Sequence, residues 1–249
     1  MRDATSSDGS HVVLKVIDED TDELVILNYL NEIKSVANHT IELHGIIDIP
    51  DAKVIALQWK PPLDEYFAFH DPPQSASSFP QQFLEGVAFL HENRVAHMDL
   101  KPANVLVDGM DPPRIIIIDF GLSTFVEDED TLIEGFCGTP PWVAPEVGTR
   151  DGPDHEYSAI LADRWSCGLM SSYIKKLLPG GSRDGDRDWE KLMDQLTSND
   201  PRSRPSLKKV LDMYKRGEMK RCARAEESEE MQKRAHVSMY VCHSIVSNC

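Results

Sequence analysis

The chain is short of positive charge, of paired cysteines and of long apolar runs. Its 249 residues carry 26 Lys and Arg against 42 Asp and Glu, a formal net charge of −16. Nucleic acid and anionic membrane surfaces are polyanions and are repelled by such a balance, so neither is expected as a partner. The five cysteines, Cys137, Cys167, Cys222, Cys242 and Cys249, are odd in number, and none stands in a C-x-x-C spacing. A disulfide framework and a cysteine-rich zinc site are both excluded on that ground. No run of roughly 18 apolar residues occurs and no apolar stretch follows Met1, so neither a membrane span nor a secretory leader is expected. The hydrophobic content of 41% is nevertheless enough to build a core. The expected location is cytoplasmic or nuclear.

What is present is chemically specific. The run His97-Met98-Asp99-Leu100-Lys101-Pro102-Ala103-Asn104 is followed by Asp119-Phe120-Gly121. Phosphoryl transfer needs a carboxylate to orient a hydroxyl nucleophile, a cation near the transferred group, and oxygen ligands for Mg²⁺. Asp99, Lys101, and the pair Asn104 with Asp119 offer these in that order. Two apolar runs, Val105–Val107 and Ile115–Ile118, predict buried strands split by a turn over Asp108–Pro113. A hairpin of this kind brings Asn104 and Asp119 to one edge.

On these residues the sequence resembles the eukaryotic protein kinases of the serine/threonine branch, whose loops have the forms H-R-D-L-K-P-x-N and D-F-G. Three further segments extend the resemblance in order: Ala144-Pro145-Glu146 as A-P-E, Asp163-Arg164-Trp165-Ser166-Cys167-Gly168 as D-x-W-S-x-G, and Asp200-Pro201-Arg202-Ser203-Arg204-Pro205-Ser206 as D-P-x-x-R-P-S. The resemblance implies a bilobal α+β fold with a truncated small β lobe over 1–59, a mainly helical large lobe over 60–216 and a charged tail over 217–249. It also implies ATP and Mg²⁺ as cofactors, a protein substrate with a Ser or Thr acceptor, and an ion pair between Glu146 and Arg204. Asp99 and Lys101 take the catalytic places, Asn104 and Asp119 the metal. The oligomeric state is not specified by the residues.

By the same resemblance, Val12-Val13-Leu14-Lys15-Val16 matches the strand whose lysine grips the nucleotide phosphates and pairs with a helical glutamate. Glu23, Ile26, Leu27 and Leu30 repeat at helical spacing, which makes Glu23 the expected partner and Glu32 the lesser alternative, with Thr21 a candidate cap. Val54–Leu57 predicts a strand leading into a hinge, where Leu57 would wall the adenine pocket. Backbone groups near Gln58, Trp59 and Lys60 would bond the base, and Asp64 is a possible ribose contact. A helix is predicted over Pro80–His91.

Two departures from the pattern bear on function. Met1–Leu14 contains Gly9 but no G-x-G-x-x-G, so most of the backbone roof over the phosphates is expected to be missing. Each such hydrogen bond to a charged group contributes about 1.5–3 kcal/mol, and its absence would weaken nucleotide binding at least about ten-fold. Met98 stands where the family has an arginine, and a thioether makes no bidentate contact with a phosphate. Phosphorylation in the loop after Asp119, with Thr131 the candidate site, is therefore expected to matter little. The acidic run Glu127–Asp130 there is expected to be solvated surface. The expected activity is protein serine/threonine phosphorylation, the alternative a pseudokinase or scaffold. A small-molecule kinase is disfavoured by Lys101 and Thr139.

Overall fold

The computed structural model describes residues 2–6, 9–18, 22–50, 52–70, 74–109, 112–178 and 187–216. They fall into two compact units, Met1–Lys209 and Val210–Cys249, and of the second only the helical residues 210–216 are described. The expected cap Thr21, the prolines at 72–73, the connection at 179–182 and the tail beyond 216 lie outside the described residues.

The first unit opens with strands β1 (Arg2–Thr5) and β2 (His11–Asp18), helix α1 (Glu23–Glu32), and strands β3 (Leu43–Ile49) and β4 (Ala52–Gln58). The strands form one antiparallel sheet in the order β1-β2-β4-β3. The residues ahead of Lys15 thus supply an edge strand. Helix α1 buries Glu23, Ile26, Leu27 and Leu30, the four positions whose spacing predicted it. It has no glycine stop. Asn38 closes its C-terminal end instead, donating its amide to the carbonyls of Leu30 (2.8 Å), which also accepts the Ile33 N–H (3.2 Å), and Ile33 (3.0 Å).

The remainder is mainly helical: α2 (Leu63–Phe69), α3 (Phe79–Glu92), α4 (Ala159–Leu177) and α5 (Arg187–Leu196), with short strands between them. β5 (Val95–Ala96) pairs with β8 (Thr124–Phe125), β6 (Val105–Asp108) with β7 (Arg114–Ile117), and β9 (Leu132–Glu134) with β10 (Glu156–Ser158), all antiparallel. A 3₁₀ turn over Gln74–Ser78 precedes α3. Pro80 sits in the first turn of α3, where its missing N–H costs nothing. Phe83, Leu84, Val87 and Leu90 form its buried stripe. Gly86 lets α3 close on β7, since a Cβ there would stand 2.8 Å from Ile117 Cδ1 and 2.9 Å from His39 Cβ.

The β6–β7 hairpin meets the loop that follows α1. Ile117 N–H donates to His39 O (2.7 Å) and Ile41 N–H to Ile117 O (3.1 Å), while His39 Nδ1 lies 2.9 Å from Ile115 O. Burial is the largest influence on His39 and lowers its pKa. Toward the far end, Arg204 is 2% exposed. Its guanidinium makes a bidentate pair with Glu146 (2.5 and 2.8 Å) and donates to Leu161 O and Ser198 O.

Candidate active site

The hairpin sets the site. Ile118 N–H donates to Asn104 O at 3.0 Å, so the residues flanking β6 and β7 leave the hairpin side by side. Asn104 and Asp119 thereby share one edge. Asp119 adopts φ 65°, a left-handed conformation that non-glycine residues rarely take and that recurs where the surroundings over-determine the backbone.

Asp99 sits at the centre of a second group. Its Oδ2 accepts from Lys101 Nζ (2.6 Å) and Asn104 Nδ2 (3.1 Å), and its Oδ1 accepts from the Thr139 hydroxyl (2.7 Å). Lys101 also donates to Thr139 Oγ1 at 2.9 Å. Asn104 Nδ2 reaches the Asp99 carbonyl as well (2.8 Å). With both amide contacts made through nitrogen, Asn104 keeps its oxygen as an acceptor.

The loop bearing Asp99 is held from below. Asp163, in α4 and 1% exposed, accepts the N–H of His97 (2.6 Å) through one oxygen and that of Met98 (2.8 Å) through the other. Met98 adopts φ 66°. His97 is fully buried. Its Nδ1 accepts from Asp99 N–H (3.2 Å), which leaves Nε2 to donate to Ile118 O (3.0 Å). Burial, the largest influence, lowers its pKa, so the imidazole is a neutral strut between the two loops. Sequence spacing marked the D-x-W-S-x-G segment without showing that its aspartate carries the loop.

Lys15 Nζ lies 2.6 Å from both Glu23 Oε1 and Asp119 Oδ1. Burial alone would lower the lysine pKa, but the hydrogen bonds and charges of Asp119 and Glu23 outweigh it and raise it above the ordinary value. Burial would likewise raise Asp119, and the Lys15 ammonium outweighs it, so the carboxyl is held below its usual range. Lys15 and Asp119 are therefore both ionised at neutral pH. Glu32, the alternative partner, is exposed at the far end of α1.

The hinge residues are not brought to this group by side-chain contact. Leu57 is buried in β4. Trp59 is 37% exposed and stacks on His11, with ring centroids 5.2 Å apart. Its N–H is committed to His11 O (3.0 Å) and is not free for a base. Lys60 pairs with Asp108 at the end of β6, and Gln58 and Lys60 line a polar cavity of about 420 Å³ away from the Lys15–Asp119 pair. Asp64 accepts from Tyr173 Oη at 2.7 Å.

Among the described residues no group of three or more His, Cys, Asp and Glu is arranged around a metal-sized site. One carboxylate and one amide oxygen are what the edge offers. That set suits Mg²⁺, which keeps several waters and completes its shell with substrate phosphates.

A family model described as the protein kinase domain matches residues 2–179. The chain is similar to CBL-interacting serine/threonine-protein kinase 18 of Arabidopsis thaliana, 44% identical over 101 residues covering 40% of this chain and 18% of that protein. It is also similar to CBL-interacting protein kinase 19 of Oryza sativa subsp. japonica, 34% identical over 159 residues covering 55% of this chain and 30% of that protein. CBL-interacting protein kinase 12 of the same rice is 34% identical over 166 residues, 57% of this chain and 30% of the relative. The chain thus spans less than a third of the length of these curated relatives.

Proposed function

The chain belongs to the protein kinase domain family, and from that premise we propose that it transfers the γ-phosphoryl group of ATP to a serine or threonine hydroxyl of a protein. The observation that carries this reading is the junction of the two groups above. Supporting it are the contacts among six side chains: Lys101 and Asn104 bond Asp99, and Lys15 bonds Glu23 and Asp119.

The acceptor hydroxyl takes the place at Asp99 Oδ1 now filled by the Thr139 hydroxyl. Asp99 orients it and accepts its proton as the new oxygen–phosphorus bond forms and the bond to the ADP oxygen breaks. Lys101, bridging Asp99 and Thr139, holds positive charge beside the transferred group. Lys15, positioned by Glu23, binds the nucleotide phosphates. Asn104 and Asp119 would hold Mg²⁺, which when bound neutralises phosphate charge. Neutral His97 moves no proton and keeps the Asp99 and Asp119 loops in register.

The described residues before Lys15 contain one glycine, Gly9, in the β1–β2 turn. We propose that nucleotide binding depends on Mg²⁺, to which Asn104 and Asp119 offer an amide oxygen and a carboxylate. Thermal-shift titration tests it: millimolar ATP should raise Tm with Mg²⁺ and not without, because a ligand stabilises only through the native state it binds. No shift at millimolar Mg²⁺–ATP would favour a pseudokinase or scaffold.

A further inference from the structure

We propose that Arg164 and Glu129 are positioning residues that anchor the segment after Asp119 to α4, doing without phosphorylation what a phosphate contact would do. This rests on the reading of the reaction above.

The acidic run at 127–130, expected to be solvated, divides in the structure. Glu129 forms an ion pair with Arg164, whose side chain is 7% exposed against 55% for the glutamate. The Arg164 guanidinium has one other bond, from Nη1 to Arg204 O (3.2 Å), and its buried Nε has no hydrogen-bond partner among the described residues. Glu129 is the only carboxylate bonded to it among those residues. Asp130 also pairs with a cation, Arg202 at 2.7 Å, but both ends are largely in water.

The rest of the segment is fastened along the same stretch of chain. Ser158, which caps α4 by accepting Leu161 N–H (3.2 Å), also donates its hydroxyl to Glu129 O (2.6 Å). β9 then pairs with β10 in the register Leu132↔Ser158, Ile133↔Tyr157 and Glu134↔Glu156. Tyr157 Oη donates to Gly135 O (2.9 Å). Thr139, which bonds both Asp99 and Lys101, lies a few residues on.

The adjacency on α4 gives the arrangement its meaning. Asp163 holds the loop that carries Asp99, and Arg164, the next residue, holds the segment that leads to Thr139. One helical turn thus sets the distance between the reacting carboxylate and the segment that leads to Thr139. Met98 carries no charge with which to grip the acidic run at 127–130. The cation is supplied by α4, and the anion is a glutamate already present in the chain.

The test compares Glu129→Ala, Glu129→Gln and Asp130→Ala with the parent by amide hydrogen exchange over 127–139 and by peptide phosphorylation. Glu129→Ala should speed exchange there and raise KM for the peptide by about three- to ten-fold, as befits a pair with one partner half in water. KM for ATP should not move. Glu129→Gln should fall between, since it keeps an acceptor for the guanidinium and loses the charge. Asp130→Ala should match the parent. Unchanged exchange and unchanged peptide KM in Glu129→Ala would overturn the anchor, as would an equal rise in KM for ATP. A parent without transfer activity would overturn the reading of the reaction, while the exchange comparison still decides whether Glu129 holds the segment.

Discussion

Replacing Asp99 with asparagine separates the chemistry from the fold, because the geometry states what each would lose. The carboxylate receives three donors: Lys101 and Asn104 on Oδ2, and Thr139 on Oδ1. With its oxygen in the Oδ2 place, an amide keeps the first two. Its NH₂ then faces Thr139 Oγ1, whose hydrogen turns aside so that the oxygen accepts. The net structural loss is about one charge-assisted hydrogen bond, about 1.5–3 kcal/mol. At about 2–4 °C per kcal/mol for a domain of this size, Tm should fall by roughly 3–12 °C and the protein should remain folded. The reaction loses the group that accepts the proton, which is typically worth about 10²–10⁴-fold. Peptide phosphorylation, followed by transfer of labelled phosphate from ATP, should drop by that factor, while Mg²⁺–ATP should still raise Tm. If Asp99→Asn phosphorylates the peptide at the parental rate, the transfer comes from elsewhere and the assignment of Asp99 fails.

Other perturbations probe separate parts of the molecule. Glu146→Gln leaves the buried Arg204 guanidinium facing an amide and should cost about 3–5 kcal/mol, the range for breaking a buried pair; a loss below about 1 kcal/mol on urea unfolding would contradict it. Thr131→Ala removes local bonds to the N–H groups of Glu127 and Asp128 (both 3.1 Å) and should leave peptide phosphorylation within a few-fold of the parent. Most of the activity disappearing would show that some cation reads a phosphate at Thr131. His97 and His39 are both buried with pKa values lowered from 6.5. The unfolded chain therefore binds more protons below about pH 6.5, and stability should fall as pH drops through that value. Urea midpoints that hold steady or rise between pH 7.5 and 5.5 would refute neutral burial of these rings.

The parts of the fold legible in the sequence are those where a residue pattern and a packing face coincide. Glu23, Ile26, Leu27 and Leu30 had helical spacing and are the buried face of α1. The two apolar runs around Asp108–Pro113 pair as the β6–β7 hairpin, and its open end joins Asn104 to Ile118, the residue before Asp119. Helix α2 was missed because its seven residues bury only Leu63 and Tyr66, too few to establish a period. β5, β8, β9 and β10 are two or three residues long and show no alternation at all. The Arg164–Glu129 contact joins residues far apart in sequence, and composition alone made Glu129 one acid among four. Trp59 illustrates a different limit: spacing located the hinge, but only the β2 partner strand reveals that its N–H is already engaged.

The fastening of α1 at one end makes the helix a lever. Asn38 grips its last carbonyls, Asn31 bonds Ile41 O and Leu43 N–H, and His39 and Ile41 tie the following loop to β7. The C-terminal end therefore behaves as a pivot mounted on the large lobe, and Glu23 rides at the tip. Ten residues give an arm of about 15 Å, so a tilt of about 10° sweeps the tip by roughly 2–3 Å. That travel is enough to part Glu23 from Lys15 and leave the ammonium to Asp119 alone. Anything that presses on the outer face of the first turn of α1 is amplified at the lysine, whereas the same push near Asn38 is absorbed by the mount.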